Sequence, residues 1–274
     1  VKKNIPFPYL SVHKCRNFNL NEKGRKIKPL QDNGRMLQCD KFTVTLTDID
    51  LLLISYMYDW KTIEFEDTHF AKYDYLPEKL REYVIKIFKE KSELKYKIEH
   101  TTDEMELENL NYLYMKKKNE LNGIFGMAYT DPVREIITFN NGEWKHSRGD
   151  VEELVNKANN SVQRFLYFPW GVWVAAWGRY NLYELTQAVG GNPAYRDTDS
   201  DKAINPDWKS IELFNKKVMK IDKKMGAYVT VENETFYLGI AEHDESYKAF
   251  KTLGAKKYAY IKDNGKLGVT ISGV

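Results

Sequence analysis

The sequence predicts an α+β fold in which an antiparallel sheet is backed by helices. Three observations predict this class. Apolar and polar residues alternate at 42–47, 228–239 and 256–274, as they do in half-buried strands. Apolar residues recur at helical spacing between Leu80 and Phe125 and again at 207–223. A short acidic stretch at 195–200, made of residue types that favour turns, lies between two helical segments.

The first part of the chain predicts short strands around one helix. A Pro-punctuated extended entry precedes a polar loop at 13–37 that has no clear periodicity. A strand is predicted at 42–47, after which Asp48 is expected to cap a helix running from Ile49 to Tyr58, with Asp50 assigned to the same cap. A second short strand is predicted at 60–65.

Two long helices are predicted in the middle of the chain. Pro77 marks the start of the first, and the polar turn before Asp103 marks the start of the second. Together they form a helical hairpin that projects a face bearing lysines. A β-hairpin with a Gly-containing turn is predicted at 136–144. Small residues beside large aromatic ones then predict a deeply packed helix that ends at Gly190. Arg179 is the exception within it, because core packing does not account for its charge.

Composition excludes several classes of protein. At 274 residues the chain has room for one large or two modest domains. No apolar run approaches the ~20 residues that span a bilayer, and the N-terminus has no signal-peptide pattern, which predicts a cytoplasmic protein without a membrane partner. Cys15 and Cys39 lack the spacing of a zinc site or a disulfide framework. The net charge of +3 is too small to predict a polyanion partner by itself.

Asp197 and Asp199 are the candidate metal-ligating residues. They stand two positions apart in a predicted hairpin, so their carboxylates could hold divalent cations against a triphosphate. Mg²⁺ takes oxygen ligands and is usually held by one or two carboxylates together with substrate phosphates. The same residue types are common in ordinary turns, and a simple turn therefore stays open as the alternative.

Three separated segments resemble motifs of one family, in the correct order. The segment 118–126, KNELNGIFG, resembles the fingers motif Lys-x-x-x-Asn-Ser-x-Tyr-Gly. The segment 195–200, YRDTDS, resembles the palm motif Tyr-x-Asp-Thr-Asp-Ser, and 256–258, KKY, resembles the downstream Lys-x-Tyr motif. The block 171–180, GVWVAAWGRY, resembles the palm helix between the first two. From about residue 40 to its end, and more loosely over the first 40 residues, the chain thus resembles the C-terminal half of family B DNA polymerases of the phage and prophage type, including the protein-primed enzymes.

The resemblance implies an activity, a cofactor and partners. The activity is that of a DNA-directed DNA polymerase, in which two metal ions clamp the attacking 3′-oxygen and the leaving pyrophosphate. The cofactor is Mg²⁺ or Mn²⁺, and the partners are a DNA primer–template and a dNTP. Whether a terminal protein is a further partner stays open, because the sequence does not reveal the mode of priming. A phage or prophage origin implies the cytoplasm of a bacterial host.

The resemblance also implies the roles of individual residues. Asp199 is the expected direct metal ligand, with Asp197 supporting it. Three further groups of residues are implied to bind substrate. They are Lys118 at the triphosphate; Asn122, Phe125 and Gly126 at the nascent base pair; and Lys256, Tyr258 and Arg179 at the DNA.

The resemblance also implies which residue ranges form the palm, the fingers and the insertions. Residues 1–75 are a palm-associated or insertion segment, 76–129 the helical hairpin of the fingers, 130–166 a small insertion with a β-hairpin, and 167–274 the palm. The expected architecture is an antiparallel palm sheet backed by helices, with a projecting two-helix fingers hairpin.

Some features depart from the family. Gly123 stands in place of Ser, and Phe125 in place of Tyr, so the hydrogen bond of a tyrosine hydroxyl does not carry over. Pro193 is expected to shorten the strand that enters the acidic motif. The motif Asp-x-x-Ser-Leu-Tyr-Pro, which supplies a third carboxylate, is not found, nor are an exonuclease region and a thumb. We therefore expect the chain to be a fragment of a longer polymerase that is inactive by itself.

Two other classes of function stay open at this point. The first is a non-catalytic nucleic-acid-binding module, for example a degenerate prophage remnant, whose binding would survive the loss of Asp197 and Asp199. The second is a different metal-dependent phosphotransferase or nuclease that uses the same acidic pair. A scaffold without nucleic acid is the weakest reading, because it leaves the three ordered motifs unexplained.

Overall fold

A computed structural model describes residues 1–19, 23–72, 74–162 and 167–271. The chain is mixed α and β, which confirms the predicted α+β class. Within the described residues, the strands form six small sheets rather than one, and they are antiparallel. Five of these sheets have two strands, and the sixth has three.

The helices and strands follow one another in a mixed order along the chain. The six helices of the described residues are α1 Asp48–Met57, α2 Glu78–His100, α3 Glu104–Ala128, α4 Val151–Asn159, α5 Phe168–Val189 and α6 Trp208–Met225. The strands are β1 Cys15–Arg16, β2 Leu30–Asp32, β3 Arg35–Gln38, β4 Thr43–Val44, β5 Ile136–Asn140, β6 Glu143–Ser147, β7 Asn192–Asp197, β8 Ser200–Ile204, β9 Tyr228–Val231, β10 Glu234–Tyr237, β11 Tyr247–Gly254, β12 Lys257–Lys262 and β13 Leu267–Ile271.

The chain divides into two compact units, each of which is described by itself. Unit 1 comprises the described residues of 1–72, 176–227 and 237–274. Unit 2 comprises those of 73–175 and 228–236. Unit 1 therefore contains the acidic hairpin β7–β8 and the three-stranded sheet β11–β12–β13, whereas unit 2 contains the helical hairpin α2–α3 and the β-hairpin β5–β6.

Local signals explain where several helices begin and end. The cap of α1 is Thr47 rather than the predicted Asp48, because the Thr47 side chain accepts from the Asp50 N–H and the Asp50 side chain accepts from the Thr47 N–H. The assignment of Asp50 to the cap is confirmed. Helix α6 starts at the N-cap Asp207 and ends at Gly226, whose φ of +68° suits a residue without a Cβ.

Three expectations from the sequence differ from the structure. No strand forms at 60–65, a segment of the described chain in which Trp60, Ile63 and Phe65 are exposed and find no pairing strand. The polar loop predicted at 13–37 contains short strands, β1, β2 and most of β3. Strand β7 keeps six residues and accommodates Pro193 through a register shift.

Helix α5 is less buried than its sequence predicts. Ala176 is fully buried, but 46% of Val174 and 42% of Trp177 remain exposed. The prediction of a deeply packed helix is therefore wrong for one face. The aromatic pattern indicates helical spacing, but it does not show how many faces of the helix pack against other elements. The predicted end of the helix at Gly190 is confirmed.

The core of unit 1 anchors the N-terminal segment on α1. Leu10, Met36 and Met57 are buried within one cluster. The hydroxyl of Tyr58 accepts from the Leu10 N–H at 3.0 Å and donates to the Met36 carbonyl at 2.9 Å. The N-terminal segment is thereby held by both apolar packing and buried hydrogen bonds.

Among the described residues, no helix has the length and apolar character needed to cross a membrane.

Candidate functional site

The acidic segment forms the β-hairpin that the sequence predicts. Strands β7 and β8 pair antiparallel, with Asp197 opposite Ser200, so that Thr198 and Asp199 make a two-residue turn. Thr198 has a φ of +46°. This left-handed conformation is unusual for a β-branched residue, and such conformations persist only where the surrounding structure holds them. The turn therefore presents Asp199 in a constrained backbone.

The hairpin has two faces of different character. Tyr195 lies opposite Lys202 in the register, and Arg196 lies opposite Asp201. Because side chains alternate along a strand, Tyr195 and Asp197 point to one face and Arg196 to the other. The first face meets the aromatic residues of the C-terminal sheet, whereas the second meets α5.

The first face packs against β11 and β12 through aromatic rings. Tyr195 is buried, and its ring centroid lies 5.2 Å from that of Tyr258 and 5.8 Å from that of Phe250. The Lys202 ammonium lies 5.5 Å from the centroid of the Tyr258 ring, within the range of a cation–π contact. These contacts hold the predicted Lys-x-Tyr motif beside the acidic hairpin.

Lys256 contacts the hairpin at two points. Its backbone N–H donates to the Tyr195 hydroxyl at 2.7 Å, and its ammonium donates to Asp197 Oδ2 at 3.0 Å. The hydrogen bond and charge of Asp197 raise the pKa of Lys256 above its usual value, which keeps the ammonium charged at neutral pH. The structure thus brings together four residues predicted from sequence: Asp197, Asp199, Lys256 and Tyr258.

The two carboxylates fit a divalent cation to different degrees. Asp199 is exposed, and no described side chain or backbone group makes a hydrogen bond or ion pair with it. Asp197 already accepts from Lys256 and from the Thr198 hydroxyl, the latter at 2.9 Å. A hard cation such as Mg²⁺ prefers carboxylate oxygens, so Asp199 has the chemistry of a ligand. No three His, Cys, Asp or Glu side chains within 1–19, 23–72, 74–162 and 167–271 are grouped so that they could hold a metal ion.

The second face of the hairpin contains two half-buried charged residues, Arg196 and Asp201, which the sequence analysis does not single out. The Thr186 hydroxyl on α5 lies 2.6 Å from Asp201 Oδ2, and the Arg196 guanidinium lies 5.0 Å from the centroid of the Phe7 ring. Burial raises the pKa of Asp201 and lowers the pKa of Arg196. Asp201 Oδ1 is buried without a hydrogen bond. The signal available in the sequence is the register of a two-residue hairpin, which pairs Asp197 with Ser200 and Arg196 with Asp201.

Arg179 takes part in an ion pair within unit 1. Its Nε and Nη2 lie 3.2 Å and 2.9 Å from Asp50 Oδ1, and the Tyr9 hydroxyl donates to the same oxygen. Asp50 is buried, whereas about a third of the Arg179 side chain is exposed. The pair links α5 to the start of α1 and to the N-terminal segment. The DNA contact expected of Arg179 stays a prediction, and the guanidinium already has an intramolecular partner.

The four predicted nucleotide-binding residues share one exposed face of α3 in unit 2. Lys118, Asn122, Phe125 and Gly126 stand at the spacing i, i+4, i+7 and i+8, and all are exposed. The Phe125 ring stacks on that of Tyr129, with centroids 5.9 Å apart. We call these four residues the α3 stripe.

The charge of Lys118 is available on this face. Its neighbour Lys117 is bound by Glu90 at 2.7 Å and by Glu120 at 2.9 Å. In the part of the chain that the structure describes, Lys118 makes no such ion pair. A single unneutralised ammonium therefore lies at one end of the α3 stripe, and a stacked aromatic ring lies at the other.

No protein-family model and no curated protein matches the chain.

Proposed function

We propose that the chain is part of a DNA-directed DNA polymerase of the family B type, with its palm in unit 1 and its fingers hairpin in unit 2. One observation carries the proposal. Lys256 and Tyr258 contact Asp197 and Tyr195 although about 60 residues separate the two motifs along the chain. Two segments that resemble neighbouring parts of one active site are therefore neighbours in space.

The chemistry of the residues supports the same function. Asp199 and, beside it, Asp197 would hold Mg²⁺ or Mn²⁺, which would neutralise charge on the reacting phosphates. Lys256 and Tyr258 offer a cation and an aromatic ring to the primer strand. On the α3 stripe, Lys118 would bind the triphosphate of the incoming dNTP, while Phe125 and Gly126 offer a flat ring and bare backbone to the base pair.

The chain by itself is expected not to extend a primer. Mg²⁺ demands nearly octahedral coordination, and two neighbouring carboxylates supply too few oxygen ligands to fix two ions against a mobile substrate. We propose that a further carboxylate belongs to the complete site. Mg²⁺-dependent DNA synthesis by this 274-residue chain, abolished by Asp199→Ala, would instead reveal a third acid within it.

Binding of a labelled primer–template, followed by fluorescence anisotropy, tests the function. We expect the affinity to fall as salt rises, because bound lysines release counterions from the phosphates. We also expect the next correct dNTP, added with a divalent cation, to tighten binding more than an incorrect dNTP. Absence of DNA binding would exclude the proposal.

The same assay separates the competing functions. A non-catalytic nucleic-acid-binding module predicts equal DNA affinity in Asp199→Ala and no response to dNTP. A nuclease predicts that the DNA is cleaved when a divalent cation is present. A response to the correct dNTP that disappears in Asp199→Ala is expected only of the polymerase.

Replacing Gly126 with Ala is expected to stabilise the chain and impair nucleotide binding. No neighbouring atom lies within 4 Å of a Cβ at this position, so α3 should gain about 0.5–1 kcal/mol from the higher helix propensity of Ala. The added methyl group would stand on the α3 stripe, where the proposal places the base pair. Urea unfolding and the dNTP response measure the two effects.

Gly123→Ala is the matched control for this substitution. Gly123 lies on the same helix, also without a neighbour within 4 Å of a Cβ, but away from the α3 stripe. The same gain in stability is expected there, with the dNTP response unchanged. Equal dNTP responses in both variants would contradict the role of Gly126.

A further inference from the structure

Helix α6 has a larger net positive charge than the whole chain. Its 18 residues contain six lysines and two acids, Glu212 and Asp222, which gives a net charge of +4, whereas the net charge of the chain is +3. Asp222 is buried, so Glu212 is the only acid of α6 at the surface. The net positive charge of the protein is therefore concentrated on one helix.

Four of these lysines form a row along the exposed side of α6. Lys209, Lys216, Lys220 and Lys224 stand at i, i+7, i+11 and i+15, which puts them on one face of a helix. All four are exposed, whereas Val218 on the opposite side is partly buried. At a rise of 1.5 Å per residue, the row is about 22 Å long. We call these four residues the α6 lysine row.

Three lysines of the row have no counter-charge within the described part of the chain. Lys209, Lys220 and Lys224 make no ion pair there. Lys216 pairs with Glu212 at 2.7 Å, but both side chains are exposed. An exposed pair of this kind is weak, so the Lys216 ammonium remains available to another anion.

The α6 lysine row does not stabilise the helix. Lys216, Lys220 and Lys224 follow one another at i, i+4 spacing, at which like charges repel. Lys209 lies in the first turn, where the helix dipole disfavours a cation. Helix stability therefore does not account for this arrangement, whereas a polyanion lying along the row would relieve the repulsion.

The exposed face of α6 fits a phosphate backbone better than a lipid surface. A helix that lies in a membrane surface needs one continuous apolar face. The exposed apolar residues of α6, Trp208, Leu213 and Ile221, are instead spread around the helix. Each strand of duplex DNA has one phosphate per 3.4 Å of axis, or about six along the length of the row.

We propose that the α6 lysine row is a second DNA-binding surface, which holds the phosphate backbone of a duplex independently of the acidic hairpin. The inference rests on the proposed polymerase function for the choice of DNA as the polyanion. Contacts to phosphates alone do not read sequence, so binding by the row requires neither a particular base sequence nor a primer end.

The triple variant Lys209→Gln, Lys220→Gln, Lys224→Gln tests the row. These lysines make no ion pair with the described residues, and Gln has nearly the helix propensity of Lys, so the fold should be kept. Binding of a blunt duplex is measured by fluorescence anisotropy at several salt concentrations, without dNTP or divalent cation. Each phosphate contact contributes about 0.9 to the slope of log affinity against log salt, so the slope should fall by about 2–3.

Lys3→Gln, Lys41→Gln, Lys61→Gln is the matched control. These three lysines of unit 1 are exposed and make no ion pair with the described residues, so the loss of charge is the same. This variant should keep the slope of the unmodified chain. Equal slopes in the two triple variants would overturn the inference, because only the net charge would then matter.

Glu212→Gln should have the opposite effect. It releases the Lys216 ammonium from its pair, so duplex binding should tighten and the salt slope should steepen by up to about 0.9. Damage to the fold would not produce a gain in affinity. An unchanged or weaker affinity would contradict the role of the row.

Two further measurements separate the inference from other functions. If anionic phosphatidylserine vesicles bind the unmodified chain but not the α6 triple variant, and both bind DNA equally, the row is a lipid surface and the inference fails. If the α6 triple variant loses salt slope while the unmodified chain shows no dNTP response, the polymerase function fails and the row is supported. If that variant keeps both the slope and the dNTP response, the row fails alone.

Discussion

Replacing Asp199 with Asn is expected to remove most of the divalent-cation affinity that we propose for the acidic hairpin. The Asp199 carboxylate is exposed and makes no hydrogen bond or ion pair with the described residues, so the substitution removes a ligand without breaking an internal contact. Loss of an outer-shell partner typically costs about 10–100-fold in metal affinity, and loss of a direct ligand should exceed that range. Terbium luminescence sensitised by the nearby tyrosines gives the affinity, with Tb³⁺ as an oxygen-seeking probe.

Asp263→Asn is the matched control for Asp199→Asn. Asp263 is also an exposed acid of unit 1 in a turn between two strands, so the change in net charge is identical. We expect its variant to bind Tb³⁺ like the unmodified chain. Equal Tb³⁺ affinities for Asp199→Asn and Asp263→Asn would show that the hairpin does not hold the cation. Because the Asp199 side chain makes no internal contact, urea unfolding should show little change in stability for this variant.

Replacing Asp50 with Asn is expected to destabilise unit 1 by about 3 kcal/mol, at the lower end of the range for breaking a buried ion pair. Asp50 is buried, pairs with Arg179 and accepts from Tyr9 as well. The substitution leaves the Arg179 guanidinium without its counter-charge, although a third of that side chain remains in water and limits the loss. Urea unfolding of the two proteins measures the difference.

The same substitution should change how stability depends on pH. Burial acts to raise the pKa of Asp50, but hydrogen bonds from Tyr9 and Arg179 outweigh it and hold the pKa below its ordinary value. A carboxyl with a lowered folded-state pKa contributes stability above its unfolded pKa of about 3.9, and this contribution is lost as pH falls through the folded value. The gap between Asp50→Asn and the unmodified chain should therefore be full at pH 7 and shrink below about pH 4.

Asp48→Asn is the control for this experiment. Asp48 belongs to the same first turn of α1 but is exposed. Because an exposed charge in the first turn of a helix contributes about 0.3–1 kcal/mol, its loss should cost far less than the loss of Asp50. A similar cost for both variants would mean that the ion pair with Arg179 contributes nothing beyond the charge at the helix end.

Local features of the structure could be predicted from the sequence because their causes are local. The acidic turn at Asp197 and Asp199, the hairpin at 136–144 and the helical pair before Ala128 depend on turn residues, caps and periodicity within a few positions. The same reasoning failed at 60–65, where apolar residues suggest a strand but no partner strand pairs with them. A strand forms only where a neighbouring strand accepts and donates its backbone hydrogen bonds, and the sequence of the segment does not show whether such a neighbour is present.

The sequence by itself determined the α+β class, the acidic hairpin and the order of the three motifs. It also determined the helical spacing that puts the residues of the α3 stripe on one face. Only the tertiary structure decided that Lys256 binds Asp197 and that Arg179, 129 residues from Asp50, is paired with it. Periodicity fixes which face of an element a side chain occupies, but a contact between distant segments depends on how those elements pack. The different environments of Asp197 and Asp199 therefore became visible only in the folded chain.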